Sequence, residues 1–460
     1  MKKITFLLIA FMLANIVNAT VFYVLPGGAG VGNGADWENA ADLTTATLAL
    51  GENGDQFWVK AGTYNNAVTV AFGREMYGGF DGTETSLEQR DWAKNKTIIQ
   101  GIAGTTPCLV MMEESSIVDG FYIQDNQRAT GDNGGGVTMK FKTTLRNCVV
   151  RNNSVANANV GGGIFVTNTD KDGVLPTIEN CLIYNNSAAN NGAGIQVVND
   201  GKLHLINSTI ANNKITKNAG TTGSGYGCGI GLPPNARLIA ENSIVFNNGK
   251  PNSDGTTTLM FSLGANHNAN NNKISTIRNC AYDAINTGNG TTESVVFTET
   301  TNCIADLSAS KLPGFVSPTD FIGCISTGSA EYNQILNADY RLTSISICID
   351  GGNNSYATLT KDLAGNARVY NTTIDMGAYE YNTSTPGTGF KNNFSALNLY
   401  IVDNLLTITE LSIGDDISIY DAFGKTVFSS RTEACTIQML LPAQGIYIVK
   451  LNNQSKKIIF

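Results

Sequence analysis

Leu145-Arg146-Asn147-Cys148-Val149-Val150, Ile178-Glu179-Asn180-Cys181-Leu182-Ile183 and Leu205-Ile206-Asn207-Ser208-Thr209-Ile210 are three copies of one pattern. Ala240-Glu241-Asn242-Ser243-Ile244-Val245 and Ile277-Arg278-Asn279-Cys280-Ala281-Tyr282 continue it, and Ile117-Val118-Asp119-Gly120-Phe121-Tyr122 is a weaker copy upstream. From one small residue to the next the spacing is 28, 33, 27, 35 and 37 residues. Self-similarity at such periods marks stacked units, none of which can bury its apolar face alone.

The copies align into columns. One is polar (Asp119, Asn147, Asn180, Asn207, Asn242, Asn279) and the next is small (Gly120, Cys148, Cys181, Ser208, Ser243, Cys280). Two residues further lies an apolar column: Tyr122, Val150, Ile183, Ile210, Val245 and Tyr282. Six residues after the polar position comes Asp125, Asn153, Asn186, Asn213 or Asn248. A variable insert follows, then an alternating strand with inward positions Val137/Met139, Ile164/Val166, Ile195/Val197 and Ile230/Leu232. Alternation over three to five residues marks short strands. Asn at each corner tolerates a left-handed backbone and caps the turn with its amide. Stacked amides at Asn147, Asn180, Asn207, Asn242 and Asn279 are expected to form a hydrogen-bonded ladder. The fold expected is all-β: a right-handed parallel β-helix followed by a small C-terminal β-sandwich. A leucine-rich repeat would need Leu columns and a helical side, and a propeller longer, even blades; the sequence offers neither.

Composition agrees. Of 460 residues only 15% are charged, Gly numbers 49, and the net charge is −8. No Lys/Arg cluster stands out, so nucleic acid is not an expected partner. The start has the form of a signal peptide: basic Met1-Lys2-Lys3, an apolar run from Ile4 to Val17, and a small-residue cleavage site between Ala19 and Thr20. No later segment approaches the ~20 apolar residues of a spanning helix. Nine cysteines are an odd number. Cys148 and Cys181 share a column and point the same way, so packing as buried thiols is expected of them; a disulfide among Cys303, Cys324 and Cys348 stays open.

The expected organisation is a signal peptide over 1–19, the β-helix with an N-terminal cap and a closing segment over 20–381, a linker over 382–393, and a separate domain over 394–460. The cap includes Gly54-Asp55-Gln56-Phe57-Trp58-Val59 and Tyr77-Gly78-Gly79-Phe80-Asp81. From about Asn302 the repeat decays. In the last domain, strand-like runs lie at Leu397–Ile401, Leu405–Thr409, Ile417–Tyr420, Thr426–Ser429, Thr436–Leu440, Ile446–Leu451 and Lys457–Phe460.

Three stretches resemble known families. Gly162-Gly163-Ile164 and Asn185-Asn186 lie in repeats similar to those of pectin-lyase-like β-helix proteins. The stretch from Asp362-Leu363-Ala364-Gly365-Asn366 to Asp375-Met376-Gly377-Ala378-Tyr379-Glu380-Tyr381 resembles choice-of-anchor Q domain proteins, which are common in Bacteroidetes. Residues 394–460 resemble the type A C-terminal sorting domain of the type IX (Por) secretion system, through Ile417–Lys425, Gly445-Ile446-Tyr447 and the terminal Lys456-Lys457-Ile458-Ile459-Phe460. That resemblance implies a sorting signal that includes Gly445, Tyr447, Lys456 and Lys457. It also implies export by Sec, then through the type IX machinery, to the cell surface or beyond.

Chemistry is sparse. Lyases of the pectin-lyase-like class use a Lys or Arg base, often with calcium, which takes six to eight oxygen ligands. No Asp/Glu column exists, so no metal site is read, and calcium enters only if a lyase activity holds. Asp170 and Asp172 resemble the first polygalacturonase motif, but its remaining motifs are absent. Glu113-Glu114 precede a strand, and Lys140, Arg146, Arg151, Arg237 and Arg278 read as scattered surface charge. Alternation points His204 outward without a partner cluster, and His267 lies in a polar insert. No catalytic residue is assigned.

One face invites binding. If Cys148 and Val150 face inward, the outward columns read Phe121, Val149, Leu182, Thr209, Ile244 and Ile123, Arg151, Tyr184, Ala211, Phe246. That is more apolar than a solvated surface needs. It marks Phe121, Arg151, Tyr184 and Phe246 as candidate binding residues, unless an insert such as Thr216–Gly227 folds over them. The function expected is a monomeric, non-catalytic adhesin or glycan-binding module whose partner is a polysaccharide or cell-surface glycan. The alternative is a lyase or glycoside hydrolase acting on an acidic polysaccharide.

Overall fold

The computed structural model describes residues 19–459 apart from 103–107, 129–132, 157–158, 168–173, 217–226, 234–235, 252–256, 260–262, 266–274, 284, 287–296, 306, 308–311, 383–398, 403–404, 410–415, 422–423, 433–435, 441–445 and 452–453. The chain divides into two compact units, residues 1–381 and 382–460.

The first unit is a parallel β-helix. Each coil contributes one short strand to each of three long stacks. The first stack, here the long sheet, has ten strands and runs from Val21–Val24 through Thr144–Arg146, Thr177–Glu179, Lys202–Ile206, Arg237–Glu241 and Ser275–Arg278 to Phe297–Thr301. The second has eight strands, from Gly62–Tyr64 through Phe121–Gln124, Val149–Arg151, Leu182–Tyr184 and Ile244–Phe246 to Ala281–Tyr282. The third also has eight, including Val137–Met139, Ile164–Val166, Ile195–Val197 and Ile230–Leu232. A fourth, narrow stack holds two-residue steps such as Ser154–Val155 and Ser187–Ala188. Pairing through the repeats is parallel, as in Val149↔Leu182 and Val137↔Ile164.

The core lies inside the coils, where the columns place it. Val137, Met139, Ile164, Val166, Ile195, Val197, Ile230 and Leu232 are wholly buried. So are Cys148, Cys181 and Ser208 beside Val150, Ile183 and Ile210. Leu43, and Leu48 from the short helix Thr45–Leu50, join this core next to Val24 and Val70 near the first coils. Thr44 caps that helix by accepting from the Thr47 amide at 3.0 Å. Cys148, Cys181, Cys280, Cys303, Cys324 and Cys348 are free thiols.

The weak first copy sits one residue out of the sequence alignment. Asp119 pairs with Arg146, not Asn147, and Tyr122 pairs with Val149. The corner demands a positive φ, which Gly120 supplies at 89° and Asp119 does not. Phe121 therefore takes the inward seat of Cys148 and is fully buried, and Tyr122 turns outward.

Residues after about 312 add no further coils. They run back along the outside of the second sheet as a strap. The strap contains an antiparallel pair, Phe315–Ser317 with Asp339–Leu342, the helix Tyr332–Asn337, and the single turn Asn354–Tyr356.

The second unit holds two antiparallel sheets, one of three strands (Leu399–Val402, Leu405–Thr409, Thr436–Leu440) and one of four (Thr426–Arg431, Asp416–Asp421, Ile446–Leu451, Gln454–Ile459). Leu406 and Ile408 of the first pack against Ile417, Ile419, Tyr447 and Val449 of the second, which makes a sandwich.

Candidate functional site

The apolar outer face of the second sheet is not open to a ligand. Val149, Leu182, Tyr184 and Ala211 are buried against Ile335, Tyr340, Leu363 and Ala378 of the strap. Tyr184 and Tyr340 rings lie 4.9 Å apart, and Phe246 meets Phe315 at 6.4 Å. The Arg151 guanidinium donates to the Tyr184 hydroxyl at 3.0 Å, and that hydroxyl donates to the Ile335 carbonyl at 2.6 Å. Of the four residues expected to bind, Phe121 is inside the coil, while Arg151, Tyr184 and Phe246 lie under the strap. The expectation fails because the chain covers its own apolar face, burying surface that would be costly to leave in water. The cover is residues 313–381; most of the insert Thr216–Gly227 lies outside the described residues.

The corner asparagines hold the strap in place. Asn147, Asn180, Asn207, Asn242 and Asn279 all take φ between 46° and 52°. Their amides do not form one continuous ladder. Asn180 donates to Asn147 at 2.6 Å and Asn147 to Asp119 at 2.8 Å, but the Asn207 Nδ2 has no partner. Asn242 donates instead to the Asn353 carbonyl and Asn279 to the Gly351 carbonyl, at 3.0 and 3.1 Å. A second left-handed column bounds the other side of the sheet: Asn152, Asn185 and Asn212 donate to strap carbonyls at Ile325, Gly323 and Thr319. The continuous ladder lies one residue further on. Asn153 donates to Asn186, Asn186 to Asn213 and Asn213 to Asn248, at 3.1, 3.0 and 2.8 Å.

The face with accessible chemistry is the outer side of the long sheet. Near its start it is roofed by aromatics, with Trp58 and Phe80 stacked at 4.9 Å. From Thr144 to Arg278 its outward side chains are Thr144, Arg146, Thr177, Glu179, Lys202, His204, Ile206, Arg237, Ile239, Glu241, Thr276 and Arg278. Most are half-buried; Glu179, Ile206 and Glu241, next to the strap-side corner, are buried. Four Lys/Arg stand against two Glu here, although the whole chain carries −8.

Pairing along this face is uneven. Asp119, next in register to Arg146, is saturated: Arg146 Nε and Arg90 Nη2 reach it at 2.6 and 2.7 Å. Glu241 accepts from Arg278 Nη1 at 3.3 Å and pairs with His204 Nε2 at 2.9 Å. Glu179 is 6% exposed, and its Oε1 has no hydrogen-bond partner. Burial pushes its carboxyl up to about 7 against the pull of Arg146 and His204. So His204 does point outward, but it has a partner, and the arginines read as scattered are ordered by strand register. The signal was in the column before the corner Asn: Arg146, Glu179, Ile206, Glu241, Arg278. Glu113 and Glu114 pair with Lys140 and Lys142 at 2.7 and 3.6 Å.

Among the described residues no three His, Cys, Asp or Glu come together as a metal site. Asp170, Asp172, His267 and Gly445 lie outside the described residues. Tyr447 is buried in the sandwich core, and Lys456 and Lys457 lie in its last strand, opposite Val449 and Ile448. Ala19 and Thr20 precede the first strand, and the residues before Ala19 are not described.

Residues 398–460 match the family described as secretion system C-terminal sorting domain. This domain directs type IX secretion to the cell surface or the extracellular space. No curated protein matches the chain. Among solved structures, it is similar to pectate lyase Pel9A at 15% identity, over 80% of this chain and 98% of that one, with a TM-score of 0.39. It is also similar to a tailspike protein from Acinetobacter baumannii bacteriophage Fri1, a capsular polysaccharide depolymerase, at 11% identity over 96% and 79%, with a TM-score of 0.28. The parallel strand register, not these likenesses, establishes the fold. No described helix is long and apolar enough to cross a membrane.

Proposed function

We propose that this exported chain is a non-catalytic surface protein that binds an anionic glycan along the outer face of the long sheet. One observation carries the reading: Arg146, Lys202, Arg237 and Arg278 gather on one face of an acidic chain, each half-exposed. Coils stack at roughly 4.8 Å, so Lys202 and Arg237, paired in register, present two cations on neighbouring strands to an extended polymer, while Arg146 and Arg278 lie in the column beside the corner. Such attraction gives affinity that falls with salt. The test is retardation of the protein in gels containing dextran sulfate, polygalacturonate or neutral dextran. Retardation by the two polyanions alone, weakened by salt, supports the reading; equal mobility in all three gels overturns it.

Glu179 and Glu241 offer a specific reason to weigh hydrolysis. They share a column two strands apart, roughly 9.6 Å between Cα atoms, near the upper limit for the carboxyl groups of an inverting pair. Glu241, however, has one oxygen paired with His204 and the other with Arg278. It is poorly placed to take a proton from water, which favours binding.

A further inference from the structure

We propose that Glu179 is a proton-controlled charge beneath the cationic face, so that the face holds an anionic glycan more tightly when this carboxyl is protonated. The inference rests on the anionic-glycan reading of the long sheet and adds a regulation to it.

The geometry isolates Glu179. In register it stands between Arg146 on one strand and Ile206 on the next. Ile206 is 3% exposed and its apolar side chain offers no hydrogen bond. Every charged group packed around the carboxyl is committed elsewhere. Arg146 is drawn to Asp119, which Arg90 also holds. His204 is bonded to Glu241, which Arg278 also holds. From the strap, Arg368 turns to Glu380 at 3.1 Å and to the Asn180 amide oxygen at 3.1 Å. A carboxylate here has neighbours of both signs but no donor of its own, and water barely reaches it. Such a group keeps its proton into the neutral range; burial pushes it up to about 7. When it ionises, a third negative charge joins Asp119 and Glu241 directly under the cations. The face weakens where Arg146 would meet the ligand.

The experiment uses the whole chain and dextran sulfate, whose sulfate esters stay charged from about pH 5.5 to 8.5. Wild type is expected to bind about fivefold more weakly at the alkaline end, the scale of one unit charge a few ångströms from an anion near water. Glu179→Gln keeps the shape and removes the charge, and it should bind at about pH 8.5 nearly as wild type does at about 5.5. His204 lies on the same face, bonded to Glu241, so His204→Asn is run beside it; it should retain the alkaline loss. If Glu179→Gln keeps the full loss while His204→Asn abolishes it, the inference is overturned and the glycan reading survives. Tight binding that ignores pH in all three proteins has the same meaning. No binding by wild type at any pH overturns both.

Discussion

Arg368 and Asn180, 188 positions apart, meet at 3.1 Å, where the guanidinium Nη1 donates to the amide oxygen. Arg368 is 2% exposed, and its Nη2 also reaches the Gly377 carbonyl at 2.6 Å and the Glu380 carboxylate at 3.1 Å. Asp362 accepts from the Asn366 and Glu380 amides at 2.7 and 2.9 Å. The Asp362–Tyr381 stretch is thus a clasp. It folds around one buried cation and fastens the strap to a corner of the β-helix.

Removing that cation should be severe. Arg368→Met leaves Glu380 and Asp362 buried without their counter-charge, which costs about 3–5 kcal/mol. Arg368→Lys should fail to rescue, because a single ammonium cannot serve Asn180, Gly377 and Glu380 together. Urea unfolding of the two variants checks this; a midpoint equal to wild type would contradict the clasp.

The asparagine columns should separate by partner, not by position in the repeat. Asn186 sits inside the continuous ladder, where its amide group serves Val150, Tyr184 and Asn213 oxygens. Asn186→Ala should cost about 2–3 kcal/mol, since it leaves buried acceptors unpaired. Asn207 has an unpartnered Nδ2, and its backbone needs only a residue content at φ 46°. Asn207→Gly should stay within about 0.5 kcal/mol of wild type. Paired thermal melts decide; equal losses would show that the columns act alike.

Tyr184 should matter to stability and not to ligand binding. Tyr184→Phe removes the hydroxyl that bridges Arg151 and the Ile335 carbonyl, which still meet directly at 3.1 Å, so the loss should be about 1 kcal/mol. Retardation by dextran sulfate should be unchanged, because the ring is under the strap. Weakened binding by a folded Tyr184→Phe protein would return the ligand to the second sheet.

Stability should fall as pH rises through neutrality, by way of Glu179. Its carboxyl holds a proton up to about 7 in the folded chain, against 4.5 for the ordinary side chain. Between those values the folded state binds the extra proton, so raising pH favours unfolding. The full effect is at most about 3 kcal/mol, complete by about pH 8. Glu179→Gln should make the profile shallower, leaving the share of Glu380, whose carboxyl burial pushes up to about 8, and should gain stability over wild type at alkaline pH. A parallel pair of profiles would show that Glu179 is ionised throughout.

Much of the fold was legible because coil stacking repeats it. The Cys148/Val150 columns and the Ile164/Val166 strand return at every coil, and alternation alone assigns their faces. The misread first copy shows the limit: Asp119 looks like the polar corner, but only Gly120 fits the left-handed turn, which moves Phe121 into the core. The strap was not legible as a cover. Its residues have no period, and its contacts span well over a hundred positions, as from Asn185 to Gly323. Without it, Tyr184 and Phe246 read as a binding face. The charged face was half legible: Arg146, Glu179, Glu241 and Arg278 were visible as residues before each corner Asn. What alternation did not show is which of them would be left without a partner.

The most direct measurement is the dextran sulfate affinity of wild type beside Lys202→Gln/Arg237→Gln, at low and physiological salt. These two cations are adjacent in register and lie away from the Asp119 and Glu241 pairs. The double variant should keep its fold, bind about tenfold more weakly and depend less steeply on salt. Undiminished binding by the folded double variant would place the ligand elsewhere and contradict it.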